Sequence, residues 1–188
     1  MAVVVGGSAG GFEALSTIFS ALPPGFELPI FVVQHLHPSD NGSFARSLDN
    51  TTGLSVVEPC DKEKIDVGHV FVAPANYHML VERDGSIALC VNGKVNWSRP
   101  SIDVLFESAA RAWGGAVIGV LLTGASSDGA RGMRALKDAG ALTIAQNPAG
   151  AHVAVMPQSA IDADGVVEVL NITDIAQRLI ELGALHPL

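Results

Sequence analysis

Three residues at the ends of apolar runs could together carry out acyl transfer. Ser8 lies in VVVGGSAGG (residues 3–11), His35 closes FVVQH (31–35), and Asp128 closes LLTGASSD (121–128). A serine hydroxyl is a poor nucleophile until a base within hydrogen-bond reach takes its proton. An imidazole base in turn needs a third group to fix its tautomer. Gly6-Gly7-Ser8-Ala9-Gly10 satisfies G-x-S-x-G, in which small neighbours let a tight strand-to-helix turn project the serine oxygen. Asp128 has a competing structural reading as the N-cap of the helix that begins after it. A carboxylate can accept from a backbone N–H and from an imidazole, so the two roles do not exclude each other.

The same glycines could instead cradle a phosphate, because free N–H groups and the positive end of a helix dipole favour an anion there. A dinucleotide site expects G-x-G-x-x-G and an acid at the end of the second strand to hold the ribose. Here Ser8 stands where the second glycine belongs, the second run ends in Gln34-His35-Leu36, and the first acid is Asp40, beyond Pro38. No Lys-Ser or Lys-Thr pair follows the glycines, which disfavours a P-loop. A nucleotide-binding module and a catalytically silent regulatory domain are the competing classes.

The elements that must position these residues are legible as strand-like runs at 2–5, 30–34, 54–57, 116–122 and 142–145, most of them apolar throughout. Runs that are apolar throughout point to strands covered on both faces. Amphipathic segments lie between them, with Phe12, Leu15, Ile18, Phe19 and Leu22 on one helical face and Ile102, Leu105, Phe106 and Ala109 on another. Alternation of strand and helix predicts a three-layer αβα fold around a doubly wound, mostly parallel, Rossmann-like sheet. Strand-like runs at 69–73 and 79–91 have no helix between them, and Asp84-Gly85 predicts a hairpin, so an antiparallel excursion is expected. Further helices are expected from near Asp128 to Gly140 and over 172–182. Three strand ends thus offer Ser8, His35 and Asp128 at the carboxyl edge, where open α/β sheets place their sites.

Composition bounds the function. The 188 residues, with no linker, repeat or low-complexity tract, predict one domain over 1–188. A formal charge of -8 with no basic run disfavours nucleic acid and anionic membranes as partners, and the chain has no apolar stretch of about 20 residues to insert in a bilayer. Cys60 and Cys90 have neither CxxC nor metal-ligand spacing, and no charged-then-apolar signal segment precedes the first strand, so two free thiols and a cytoplasmic location are expected. His35, His37 and Asp40 could suggest a metal pair, but Pro38 and the lack of a second cluster argue for no metal. No cofactor is expected. Arg99 is a candidate substrate-loop anchor, holding a carboxylate or loop carbonyls, with a structural salt bridge as the alternative. Trp97 and Trp113 are read as packing residues.

The chain order Ser, His, Asp matches neither the α/β-hydrolase order nor the two familiar protease orders. It does match another family. Six blocks, GGSAGGFEAL (6–15), VVQHLHP (32–38), GHVFVAPANYHM (68–79), SRPSIDVLFES (98–108), GVLLTGASSDGARGM (119–133) and TIAQNP with VMP (143–157), resemble the catalytic domain of the CheB-type chemotaxis receptor methylesterases.

The resemblance implies a serine hydrolase that demethylates glutamyl methyl esters on the cytoplasmic helices of chemoreceptors, often with deamidation of glutamines at the same sites. It implies a triad of Ser8, His35 and Asp128; the backbone N–H groups of the turns at Ala9 and Ala125 are the candidate oxyanion donors, the second being the better family match. It also implies the doubly wound fold with its hairpin. Three positions depart from the family pattern: Ala9 replaces a common Thr, Ala125 a common Met, and Ser98 a common His. Family members usually carry an amino-terminal receiver domain, whereas strand one here begins directly after Met1. The expectation is either a partner receiver domain outside this chain or a stand-alone esterase. An acidic protein acting on acidic receptor helices must recognise them through a local apolar or basic patch.

Overall fold

The computed structural model describes residues 1–185. Seven strands form one parallel sheet in the order β3-β4-β2-β1-β7-β8-β9. They are β1 (Ala2–Gly7), β2 (Ile30–Gln34), β3 (Ser55–Val57), β4 (His69–Val72), β7 (Val117–Leu121), β8 (Leu142–Gln146) and β9 (Glu168–Leu170). The antiparallel pair β5 (His78–Val81) and β6 (Ile87–Cys90) stands apart. The fold is therefore the expected doubly wound one. The run at 69–73 joins the parallel sheet between β2 and β3, so only β5 and β6 form the antiparallel excursion. Gly85, at φ +74°, makes its turn, and Asp84 Oδ1 accepts from the Ser86 N–H (3.1 Å).

Both faces of the sheet are covered, which explains why the central strands are apolar along most of their length. Val3, Val5, Ile30 and Val32 pack with Leu15, Ile18 and Phe19 of α1 (Gly11–Ala21), Leu48 of α2 (Ser43–Asp49) and Leu179 of α6 (Ile172–Leu185). Val4, Phe31 and Phe71 face the other way, toward Leu105 and Phe106 of α3 (Ile102–Trp113), Met133 and Leu136 of α4 (Ala130–Asp138) and Met156 of α5 (Val155–Asp162). The period of two along each strand sorts its residues between the two cores. The hairpin leans on α3, where the Val81 N–H donates to the buried Ser108 Oγ (3.1 Å).

From β1 the chain winds to β2, β3 and β4 on one side, then returns through α3 to β7 on the other side of β1. The winding reverses between β1 and β7, and ligands of open α/β sheets bind beyond the carboxyl ends of strands at such a point. Cys60 and Cys90 are free, as expected. Among the described residues no helix is long and apolar enough to cross a membrane.

Candidate active site

The first strand end is clamped into its turn. The Ser8 N–H donates to Thr123 O beyond β7 (2.9 Å), and the His35 N–H donates to Gly7 O (3.1 Å), so the three strand ends leave the sheet side by side. Gly10 caps α1 at φ +77°, a left-handed conformation that favours glycine. Gly11 approaches the Gln34 amide so closely that a Cβ there would collide with it. Gln34 Nε2 donates to Ser8 O (2.7 Å), which also receives the Gly11 N–H (2.8 Å). The clearance made by the glycines is thus filled by Gln34, and one N–H of the prospective phosphate cradle is already spent. The Ser8 hydroxyl itself is half-buried and makes no hydrogen bond among the described residues.

His35 and Asp128, separated by 93 positions, meet at 2.8 Å through Nε2 and Oδ2. The His35 side chain is 15% exposed and that of Asp128 fully buried. An ionised carboxylate can only accept, so Nε2 carries the hydrogen in this contact and Nδ1 is left free to accept a proton. No hydrogen bond joins His35 to Ser8 Oγ. In unliganded sites such contacts are often long and tighten only when substrate binds.

Asp128 is a capping residue, but of a different helix from the one its sequence position suggests. The N-cap of α4 is Gly129, whereas the Asp128 carboxylate accepts from the Ile102 N–H (2.8 Å) and Asp103 N–H (3.2 Å) at the start of α3. It also accepts from Ser101 Oγ and Asn96 Nδ2, both at 2.8 Å. Asp103 repays the contact by accepting from the Gly129 N–H (3.0 Å) and Gly132 N–H (2.7 Å) at the start of α4. Each helix start is capped by the other's carboxylate, and Asn96 Nδ2 bridges the two, reaching Asp103 Oδ2 at 2.8 Å.

The two buried acids respond in opposite directions. For Asp128 burial is the largest single influence and opposes ionisation, but the hydrogen bonds from His35, Asn96, Ile102 and Ser101 outweigh it and hold its pKa below the ordinary value. For Asp103 burial prevails over the Gly132 N–H, the Asp128 charge adds to it, and the pKa is raised. Asp128 is therefore held as an anion at its hydrogen bond to the His35 imidazole.

Ala9 and Ala125 are both exposed turn residues, and neither N–H donates to an acceptor among the described residues. Thr123 ties their turns together: its Oγ1 donates to Ala9 O (2.8 Å) and accepts from the Val153 N–H (2.8 Å), and its N–H donates to Gln146 Oε1 (2.8 Å). Arg99 braces a loop: Nη1 donates to Val91 O (2.7 Å) and Asn92 O (3.0 Å). Among the described residues Arg99 makes no ion pair, so the salt-bridge alternative does not hold.

Trp113 packs as expected, its ring 5.6 Å from Phe31, but Trp97 does not: it is 95% exposed. His37 Nδ1 pairs with Ser39 Oγ (2.6 Å). No group of three or more His, Cys, Asp or Glu among the described residues could hold a metal ion. Gln34, Gln146, Thr123, Asn96, Ser101 and Asp103 complete the site without having been singled out in the sequence. The one visible signal was an amide ending each of two apolar strands, FVVQ and TIAQ.

Comparison with known proteins places the chain in a family. The CheB methylesterase family model matches residues 3–179. A protein of Leptospira interrogans is 45% identical over 181 residues, covering 96% of this chain and 94% of the relative. Two proteins named protein-glutamate methylesterase/protein-glutamine glutaminase, from Archaeoglobus fulgidus and Salmonella typhimurium, are each 39% identical over 181 residues, and the chain spans about half of their length (52%). The crystal structure of the Thermotoga maritima CheB methylesterase catalytic domain superimposes with a TM-score of 0.91 at 36% identity, covering 96% of this chain and 97% of that one. The chain belongs to the CheB methylesterase family, a family of hydrolases.

Proposed function

We propose that this chain, acting as one catalytic domain, hydrolyses glutamyl methyl esters on the cytoplasmic signalling helices of chemoreceptors and deamidates glutamines at the same sites. The observation that carries this reading is the 2.8 Å contact of His35 Nε2 with a buried, five-fold hydrogen-bonded Asp128 beside the Ser8 turn. Ser8 Oγ attacks the ester carbonyl while its proton passes to His35 Nδ1. Charge develops on the carbonyl oxygen, and the free N–H groups of Ala9 and Ala125 are the donors that hold it. Collapse expels the methoxy group, which takes the proton from His35 and leaves as methanol. Water then repeats the cycle on the acyl-Ser8 ester, giving the glutamate carboxylate and restoring the hydroxyl.

The nucleotide-binding alternative is disfavoured, because Gln34 occupies the clearance that a phosphate would use. Incubation with a methylated chemoreceptor fragment should release methanol and leave unmethylated glutamate at the modification sites, measured by gas chromatography and peptide mass. Methyl esters that persist at the rate of a no-enzyme control would refute the proposal.

A further inference from the structure

Trp97 is held fully in solvent by the same turn that steadies the candidate triad. Val95 and Ser98 pair across a two-residue turn, with hydrogen bonds of 3.1 and 2.9 Å between their backbones. Asn96 and Trp97 form its corner at φ 50° and 65°, a left-handed conformation that bulky side chains rarely adopt. The turn is pinned because Asn96 Nδ2 bridges Asp103 and Asp128. With Asn96 directed inward, Trp97 is left 95% exposed, the most exposed large hydrophobic residue among the described residues.

Trp97 is one of the residues that line a cleft of about 160 Å³, together with His35, Leu36, Pro38, Lys94 and Arg99. Lys94 and Arg99 line the same cleft, two cationic residues in a chain of net charge -8. An apolar platform that shares a cleft with cations suits a helix that carries carboxylates around an uncharged methyl ester.

We infer that Trp97 is a specificity-determining residue, docking the acidic helix that carries the ester against the His35 cleft. The inference rests on the proposed methylesterase activity and adds the residue that selects its protein substrate. A tryptophan at an interface is a common energetic anchor, because one side chain buries a large rigid area.

The test compares wild type with Trp97→Asn, which removes the indole but keeps a residue that tolerates the left-handed conformation. Steady-state methanol release from a methylated receptor fragment should show KM raised about tenfold or more, with kcat within about twofold. Trp97→Phe should recover part of the loss, which a purely structural role for the turn does not predict. If wild type hydrolyses the fragment and Trp97→Asn has the same KM, the docking role is overturned while the activity stands. If wild type releases no methanol, both fall. A drop in kcat with KM unchanged also overturns the inference, because the turn would then act through Asp128.

Discussion

Ser8→Ala is expected to abolish methanol release from methylated receptor, lowering kcat by ~10⁴- to 10⁶-fold, with the melting temperature unchanged within about 2 °C. The large kinetic effect follows from deleting the atom that forms the acyl intermediate in the proposed mechanism. The small structural effect follows from the contacts that shape the turn. Ser8 is held through its backbone, by the bond from its N–H to Thr123 O and by those its carbonyl receives from Gln34 and Gly11. Its hydroxyl bonds to nothing in the described residues. Alanine keeps all of the former and loses only the latter. Activity close to wild type would place the nucleophile elsewhere.

Asp128→Asn should be costly twice. The amide cannot hold the imidazole hydrogen and the helix donors together, because one acceptor oxygen becomes an NH2 group that confronts donors already aimed at it. Turnover is expected to fall by ~10⁴-fold, the scale seen when a triad carboxylate becomes an amide. Stability is expected to fall by about 1–3 kcal/mol, the cost of leaving a buried donor unsatisfied at the start of α3. The kinetic loss should persist at temperatures where both proteins are fully folded. If turnover recovers once folded fractions are matched, Asp128 is a helix cap alone.

The pH dependence of that stability difference has a fixed sign. The folded pKa of Asp128 lies below its ordinary value of 3.8. Its ionisation therefore contributes stability that is present above that value and is lost as pH falls through the folded pKa. The stability gap between wild type and Asp128→Asn should narrow on acidification below pH 3.8, as denaturation midpoints would show. Asp103 acts the other way: its raised pKa means that ionising it costs stability as pH rises from its ordinary value toward the folded one.

The positions of the candidate site residues at the ends of apolar strands were legible, and the contacts made through the fold were not. Ser8, His35 and Asp128 each follow a run whose burial on both faces fixes a strand, so topology alone brings them to one edge. The helix that Asp128 caps could not be read locally, because its donors lie 25 and 26 positions upstream. Proximity in sequence pointed to α4, but Gly129 occupies that cap and frees the carboxylate for α3. Asn96 and Trp97 were obscure for a related reason. An exposed tryptophan at positive φ contradicts both propensity and burial expectations, and only a bridge to two buried carboxylates explains the turn.

In the fold, β9 escaped notice because Glu168-Val169-Leu170 is three residues long and only partly covered at the sheet edge. Helix α5 escaped because Pro157 interrupts its pattern, although a first-turn proline is compatible with a helix.

In the proposed mechanism Ser8 is a nucleophile activated by His35. A fluorophosphonate probe tests it most directly, because it phosphonylates only a serine whose proton can be taken by a nearby base. Tryptic mass spectrometry of the treated protein should find the adduct on the peptide carrying Ser8, and His35→Ala should suppress it at least ~100-fold. Adduct formation at another serine, or labelling of Ser8 that survives loss of His35, would contradict the account.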